Sequence, residues 1–78
     1  MINKEIKRRL YECEIKDYIL WFRKEFGTQN KFWCDKIGCG SNVITFIING
    51  KDGHEYRLSE KYRDAFTREI KKMIKKLA

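Results

Sequence analysis

An uninterrupted run of apolar and β-branched residues at positions 43–48 (VITFII) constrains the fold of this chain more than any other feature. A polar, glycine-bearing segment follows at 49–53, and the alternating segment 54–58 comes next. A β-branched run, a turn rich in Asn, Asp and Gly, and an alternating partner are typical of a β-hairpin. Because the first strand has no polar face, we expect both of its sides to be covered.

The residues before this hairpin predict one more strand. Residues 31–37 alternate in polarity, which places Trp33 on the face opposite Phe32. The glycines and Asn within 38–42 allow positive φ angles, so this segment is predicted to be a turn. The central part of the chain therefore predicts three consecutive strands.

Two amphipathic segments flank the predicted strands. Residues 3–26 predict a long helix that Asn3 caps and Gly27 ends. A second helix is predicted from Glu60 to Leu77, after Ser59, which is a favourable N-cap residue. The apolar residues of this last helix recur at helical spacing and form its predicted buried stripe: Tyr62, Phe66, Ile70, Met73, Ile74 and Leu77.

These elements predict one α+β domain over residues 1–78, with the order α-β-β-β-α. The simplest packing is a three-stranded antiparallel sheet that carries the long N-terminal helix and the basic C-terminal helix on one face. Hydrophobic residues make up 42% of the 78 positions, which excludes a disordered chain. A chain of this length can build only one thin core.

The positive charge of the chain is concentrated near its end. The formal net charge is +7, and residues 59–78 hold seven basic and three acidic groups. Six basic residues share the helix face opposite the buried stripe, with Asp64 as the one acidic residue among them: Lys61, Arg68, Lys71, Lys72, Lys75 and Lys76. Such a face can contact nucleic-acid phosphates without reading bases. The alternative is that these cations only complement the helix dipole and favour solubility.

The predicted element order and residues 59–65 (SEKYRDA), which open the last helix, resemble the double-stranded-RNA-binding family. The chain departs from that family's pattern where paired lysines become Glu60-Lys61 and where 56–58 replace a glycine-rich approach. The resemblance covers about seven residues and the element order, and we assign no family from it.

Exposed aromatic residues predict a different kind of partner. Leu20 and Trp21 point away from the main apolar stripe of the first helix, and Trp33 is expected to be exposed on the sheet. The alternative is that the other helix covers them. If exposed, they would be the docking surface of a protein-directed inhibitor or adaptor from a mobile element, such as a phage anti-CRISPR, on a host nucleoprotein complex. That hypothesis itself rests by analogy on the small size, the Lys/Ile/Asn-rich composition and the missing catalytic groups. A homodimeric regulator joined through the first helix is a further hypothesis.

The sequence offers little for catalysis or metal binding. Cys34, Cys39, His54 and Cys13 are weak candidates for a zinc site, because only one cysteine pair is close in sequence. No nucleophile motif, phosphate-binding glycine loop or carboxylate cluster is found, so we expect neither enzymatic activity nor a cofactor. The odd number of cysteines and the absence of a long apolar segment or signal peptide predict reduced thiols, a cytoplasmic location and no membrane partner.

Overall fold

The computed structural model describes residues 8–54 and 56–77, and these ranges contain four α-helices. The helices are α1 (Glu12–Phe26), α2 (Asn30–Ile37), α3 (Ser41–Asn49) and α4 (Glu60–Leu77). Helices α1 and α2 each pack against both α3 and α4. Within the described ranges, no helix combines the length and the apolar character needed to cross a membrane.

The predicted α+β fold with the order α-β-β-β-α is wrong. Residues 31–37 and 43–48, expected as strands, lie within α2 and α3. A short apolar run fits a buried helix as well as a covered strand, and packing decides between them. In α3 the buried residues are Ile44 and Ile47, at the i, i+3 spacing of one helix face. The resemblance of the element order to the double-stranded-RNA-binding family is lost with the sheet.

The predicted turn of the hairpin is present, but residues 54 and 56–58, the described part of the third predicted strand, form no strand. Lys51 and His54 exchange backbone hydrogen bonds of 2.8 and 2.9 Å. Asp52 and Gly53 between them have φ angles of 53° and 78°, which is the left-handed pair of a type I′ turn. This turn connects α3 to an irregular segment that leads into α4, so it reverses the chain without forming a sheet.

The first helix begins later than predicted. Residues 8–11 are not helical, and α1 begins at Glu12 after the N-cap residue Tyr11. The Tyr11 backbone N–H donates to Glu14 Oε1 at 3.1 Å. Glu14, at the third helical position, therefore provides an acceptor for a backbone N–H at the start of the helix. The predicted cap Asn3 lies outside the described residues. The predicted end at Gly27 is confirmed by its φ of 67°.

Trp33 lies at the centre of the core, and the prediction that it is exposed is wrong. Its exposed fraction is 0%, and its ring centroid lies 5.7 Å from Phe22 and 6.2 Å from Phe66. A domain this small needs its largest side chains to fill the core. The other fully or nearly buried residues of this core are Leu10, Ile15, Ile19, Ile44, Ile47, Leu58, Ile70 and Ile74.

Candidate nucleic-acid interface

Helix α4 carries the candidate interface, and its bounds are those predicted. Ser59 accepts a hydrogen bond at its Oγ from the Tyr62 backbone N–H at 3.3 Å, which confirms Ser59 as the N-cap residue. Glu60 follows in the first turn, and Lys75 and Lys76 lie in the last turn. This charge order complements the helix dipole at both ends, so local sequence alone favours the helix here.

The apolar stripe of α4 fixes which face is left for solvent. Phe66, Ile70 and Ile74 are buried, whereas Tyr62 and Met73 are half-buried. Leu77, predicted to be buried, is 50% exposed because it lies at the end of the helix, beyond the core. The stripe therefore anchors α4 along most of its length and directs the opposite face outward.

All six basic residues predicted for the interface are exposed on this outward face. At 100° per residue they span an arc of about 140°, centred roughly opposite Ile70. From Lys61 to Lys76 the face is about 22 Å long at 1.5 Å per residue. The arrangement is a broad, solvent-facing band of cations on one helix, with the exposed Asp64 inside its arc.

Two of the six cations share one carboxylate. Lys72 Nζ lies 3.5 Å from Glu69 Oε2, and Arg68 Nε lies 3.8 Å from the same oxygen. The Glu69 side chain is only 15% exposed, so it sits beneath the two cations rather than between them and solvent. The remaining four make no ion pair with any described residue: Lys61, Lys71, Lys75 and Lys76.

The other two acidic residues of α4 are engaged by residues 8–11, which we call the N-terminal arm. Arg9 forms a salt bridge with Asp64, and the distance from Arg9 Nη1 to Glu60 Oε1 is 3.5 Å. The hydrogen bond to Asp64 raises the pKa of Arg9 further above its ordinary value, so Arg9 stays cationic. Every acidic group of α4 thus has a cationic neighbour, which leaves the positive charge of the helix dominant.

The predicted partner-binding residues lie apart from this face. Leu20 is 37% exposed on α1, and Trp21 is half-buried. The Trp21 ring contacts Phe26, whose side chain is 55% exposed, at a centroid distance of 5.7 Å. Phe26 lies four residues after the buried Phe22, and its exposure follows from its place in the last turn before Gly27. Trp33 is no surface residue.

The four candidate zinc ligands fall into two places. Cys13 and His54 line an open groove of about 400 Å³ between α1 and the end of α3. Cys34 and Cys39 lie at the end of α2 and just beyond it. Among the described residues no three His, Cys, Asp or Glu side chains come together as ligands for a metal ion.

The N-terminal arm is the part of the candidate interface that the sequence did not indicate. Arg9 and Asp64 are 55 residues apart in the chain, and no local pattern links them.

Comparisons of the chain with family models, curated proteins and solved structures give no match.

Proposed function

We propose that this chain is a non-catalytic binding module that contacts the phosphate backbone of nucleic acid with the basic face of α4. The observation that carries the proposal is the row of exposed lysines without ion pairs on the helix face opposite the core: Lys61, Lys71, Lys75 and Lys76. Salt bridges to Arg9 offset the carboxylates of Glu60 and Asp64 at the start of the helix.

The chemistry of the face favours backbone contact over base readout. Lysine presents a compact ammonium that attracts a phosphate without demanding a fixed geometry. Arginine is the usual side chain for bidentate recognition of guanine, and the one arginine on this face, Arg68, is already near Glu69. We therefore propose binding that depends on charge and salt and is largely independent of sequence.

The test is the salt dependence of binding, measured by fluorescence anisotropy with labelled duplex DNA, single-stranded DNA and duplex RNA of equal length. Each phosphate contact contributes about 0.9 to the slope of log K against log salt on duplex DNA. Lys71→Gln with Lys75→Gln should lower that slope by about 2 and weaken binding to every sequence alike.

The matched control removes two exposed lysines on other helices. Lys24 lies in α1 and Lys31 in α2, and both are exposed. Lys24→Gln with Lys31→Gln lowers the net charge by the same amount, so unchanged slope and affinity are expected there. Equal weakening in both double variants would mean that net charge alone drives binding, and no weakening in either would overturn the proposed interface.

A protein-directed inhibitor or adaptor is the second candidate, favoured by the exposed aromatic contact at the end of α1. The Trp21 ring meets the exposed Phe26 side chain edge-on, and aromatic side chains of this kind anchor protein interfaces. On this hypothesis, as for a phage anti-CRISPR, the occupant is a host nucleoprotein complex.

Salt and nuclease separate the two candidates. Phosphate binding weakens steeply as ionic strength rises, whereas an apolar interface hardly changes. Affinity capture from host lysate should therefore be run with and without nuclease, at low and high salt. A partner that is lost under nuclease and high salt supports the basic face of α4. A protein complex that is retained and then lost with Phe26→Ala supports the aromatic site instead.

A further inference from the structure

The end of α2 folds one cysteine back toward another. Gly38 ends the helix in the left-handed region, with φ of 82°, and its N–H donates to the Cys34 carbonyl at 2.7 Å. A left-handed residue at this position reverses the chain, so the side chain that follows returns over the last helical turn. Cys39 is the residue that follows Gly38, and Cys34 lies in the last turn of α2, so this geometry favours a contact between their side chains.

The surroundings of the two thiols support this placement. Both side chains are half-buried and both pack against the hydrophobic core. Burial and the neighbouring Cys34 thiol raise the pKa of Cys39 to about 11. The Cys34 side chain contributes to this shift at close range, so the two cysteine side chains are neighbours at the end of α2.

We propose that Cys34 and Cys39 form a dithiol site that closes reversibly to an intramolecular disulfide on reaction with a low-molecular-weight disulfide of the glutathione type. Cys34, as its thiolate, attacks one sulfur of the oxidant and releases one molecule of thiol. The Cys39 sulfur then attacks the Cys34 sulfur, and the second thiol leaves. The protein loses two hydrogen atoms, and the oxidant is reduced to two thiols.

The third cysteine provides an internal comparison. Cys13 is exposed on α1 and lines the groove that also contains His54. The residues that line this groove include neither Cys34 nor Cys39. Its reaction with oxidised glutathione should therefore stop at the mixed disulfide, because the resolving attack needs a second thiol nearby.

The experiment treats the folded chain carrying Cys13→Ser with oxidised glutathione under nitrogen, quenches with acid and measures the intact mass. The expected product has lost two hydrogens, carries no glutathionyl group and yields a peptide that links Cys34 to Cys39. In the same background Cys39→Ser removes the resolving thiol, so Cys34 should then retain one glutathionyl group. Circular dichroism of each variant checks that the protein is folded.

Two results would overturn the proposal. One is a Cys13→Ser protein that keeps a glutathionyl group on Cys34 or Cys39, or does not react while Cys13 of the unaltered chain does. The other is a melting temperature that stays unchanged or falls when the pair is oxidised, since a disulfide that fits the folded geometry should raise it. The expected result is closure without an adduct, together with a higher melting temperature that dithiothreitol reverses.

Discussion

Arg63 donates a hydrogen bond from its Nε to the carbonyl oxygen of Leu10 at 2.8 Å. The Leu10 N–H in turn donates to Thr67 Oγ1 at 3.0 Å, one helical turn further along α4. The Arg63 guanidinium also lies 4.8 Å from the centroid of the Tyr11 ring. The N-terminal arm is therefore held against the helix that presents the lysines, and its position determines how Arg9 offsets the acidic groups there.

Replacement of Arg63 should loosen the arm. Arg63→Met keeps much of the side-chain length but leaves the Leu10 carbonyl, in a half-buried region, without its donor. We expect the free energy of unfolding to fall by about 1–3 kcal/mol in urea titrations. Arg68→Met on the same helix is the control, because that side chain is 64% exposed and its loss should cost no more than about 0.5 kcal/mol. Equal losses would contradict the role assigned to Arg63.

Truncation of Trp33 should cost more than truncation of Phe46. Trp33 is fully buried among Phe22 and Phe66, so Trp33→Ala should lower the free energy of unfolding by about 3–5 kcal/mol. Phe46 is half-buried against Tyr56, and Phe46→Ala should cost clearly less. Chemical denaturation of both variants gives the comparison. If Phe46→Ala cost more than Trp33→Ala, Phe46 would be the more deeply buried residue, as the predicted hairpin required.

Thr45 distinguishes the helix observed at α3 from the strand that was predicted. Its side chain is exposed, and its hydroxyl donates only a long hydrogen bond of 3.4 Å to the Ser41 carbonyl. In a helix, Thr45→Ala should raise the free energy of unfolding by about 0.5 kcal/mol, because Ala has the higher helix propensity. In a strand the same change should lower it. Thr67→Ala is the control with the opposite sign, since Thr67 accepts a hydrogen bond from Leu10.

Acid should weaken the fold partly through Glu14. Arg8 donates to both carboxylate oxygens of Glu14, at 2.7 and 3.0 Å. These hydrogen bonds hold the pKa of Glu14 below its ordinary value. A lowered folded-state pKa gives stability that is present above the unfolded-state pKa and is lost as pH falls through the folded-state value. Glu14→Gln should therefore flatten the acid limb of stability against pH, measured from pH 6 downward. Glu25→Gln, at an exposed position on α1, should leave that limb unchanged.

The last helix could be predicted because its signals agree over a long span. Ser59 marks its start, and Phe66, Ile70 and Ile74 repeat every four residues along one face. The lysines on the other face follow from the same periodicity. The candidate interface therefore required only the correct period and cap of one helix, and the structure leaves its exposed residues as predicted.

The middle of the chain could not be predicted in this way because its helices are short. Helix α2 has eight residues and α3 has nine, too few turns to separate a helical period from an alternating one. Trp33 and Ile37 have the spacing of one helix face, yet the same residues also fit an alternating strand. The burial of Trp33 and Ile44 decides between a helix and a strand. The residues that bury them are distant in sequence, so the local pattern does not contain this information.

The docking of the N-terminal arm on α4 has a consequence for synthesis. A ribosome makes Leu10 long before it makes Arg63 and Thr67, which provide the partners of its backbone groups. The nascent chain therefore keeps an apolar segment uncovered until α4 leaves the exit tunnel. A translation product that stops before α4 lacks both the core residues and the basic face of that helix. Its exposed apolar residues make it a target for chaperones and proteases.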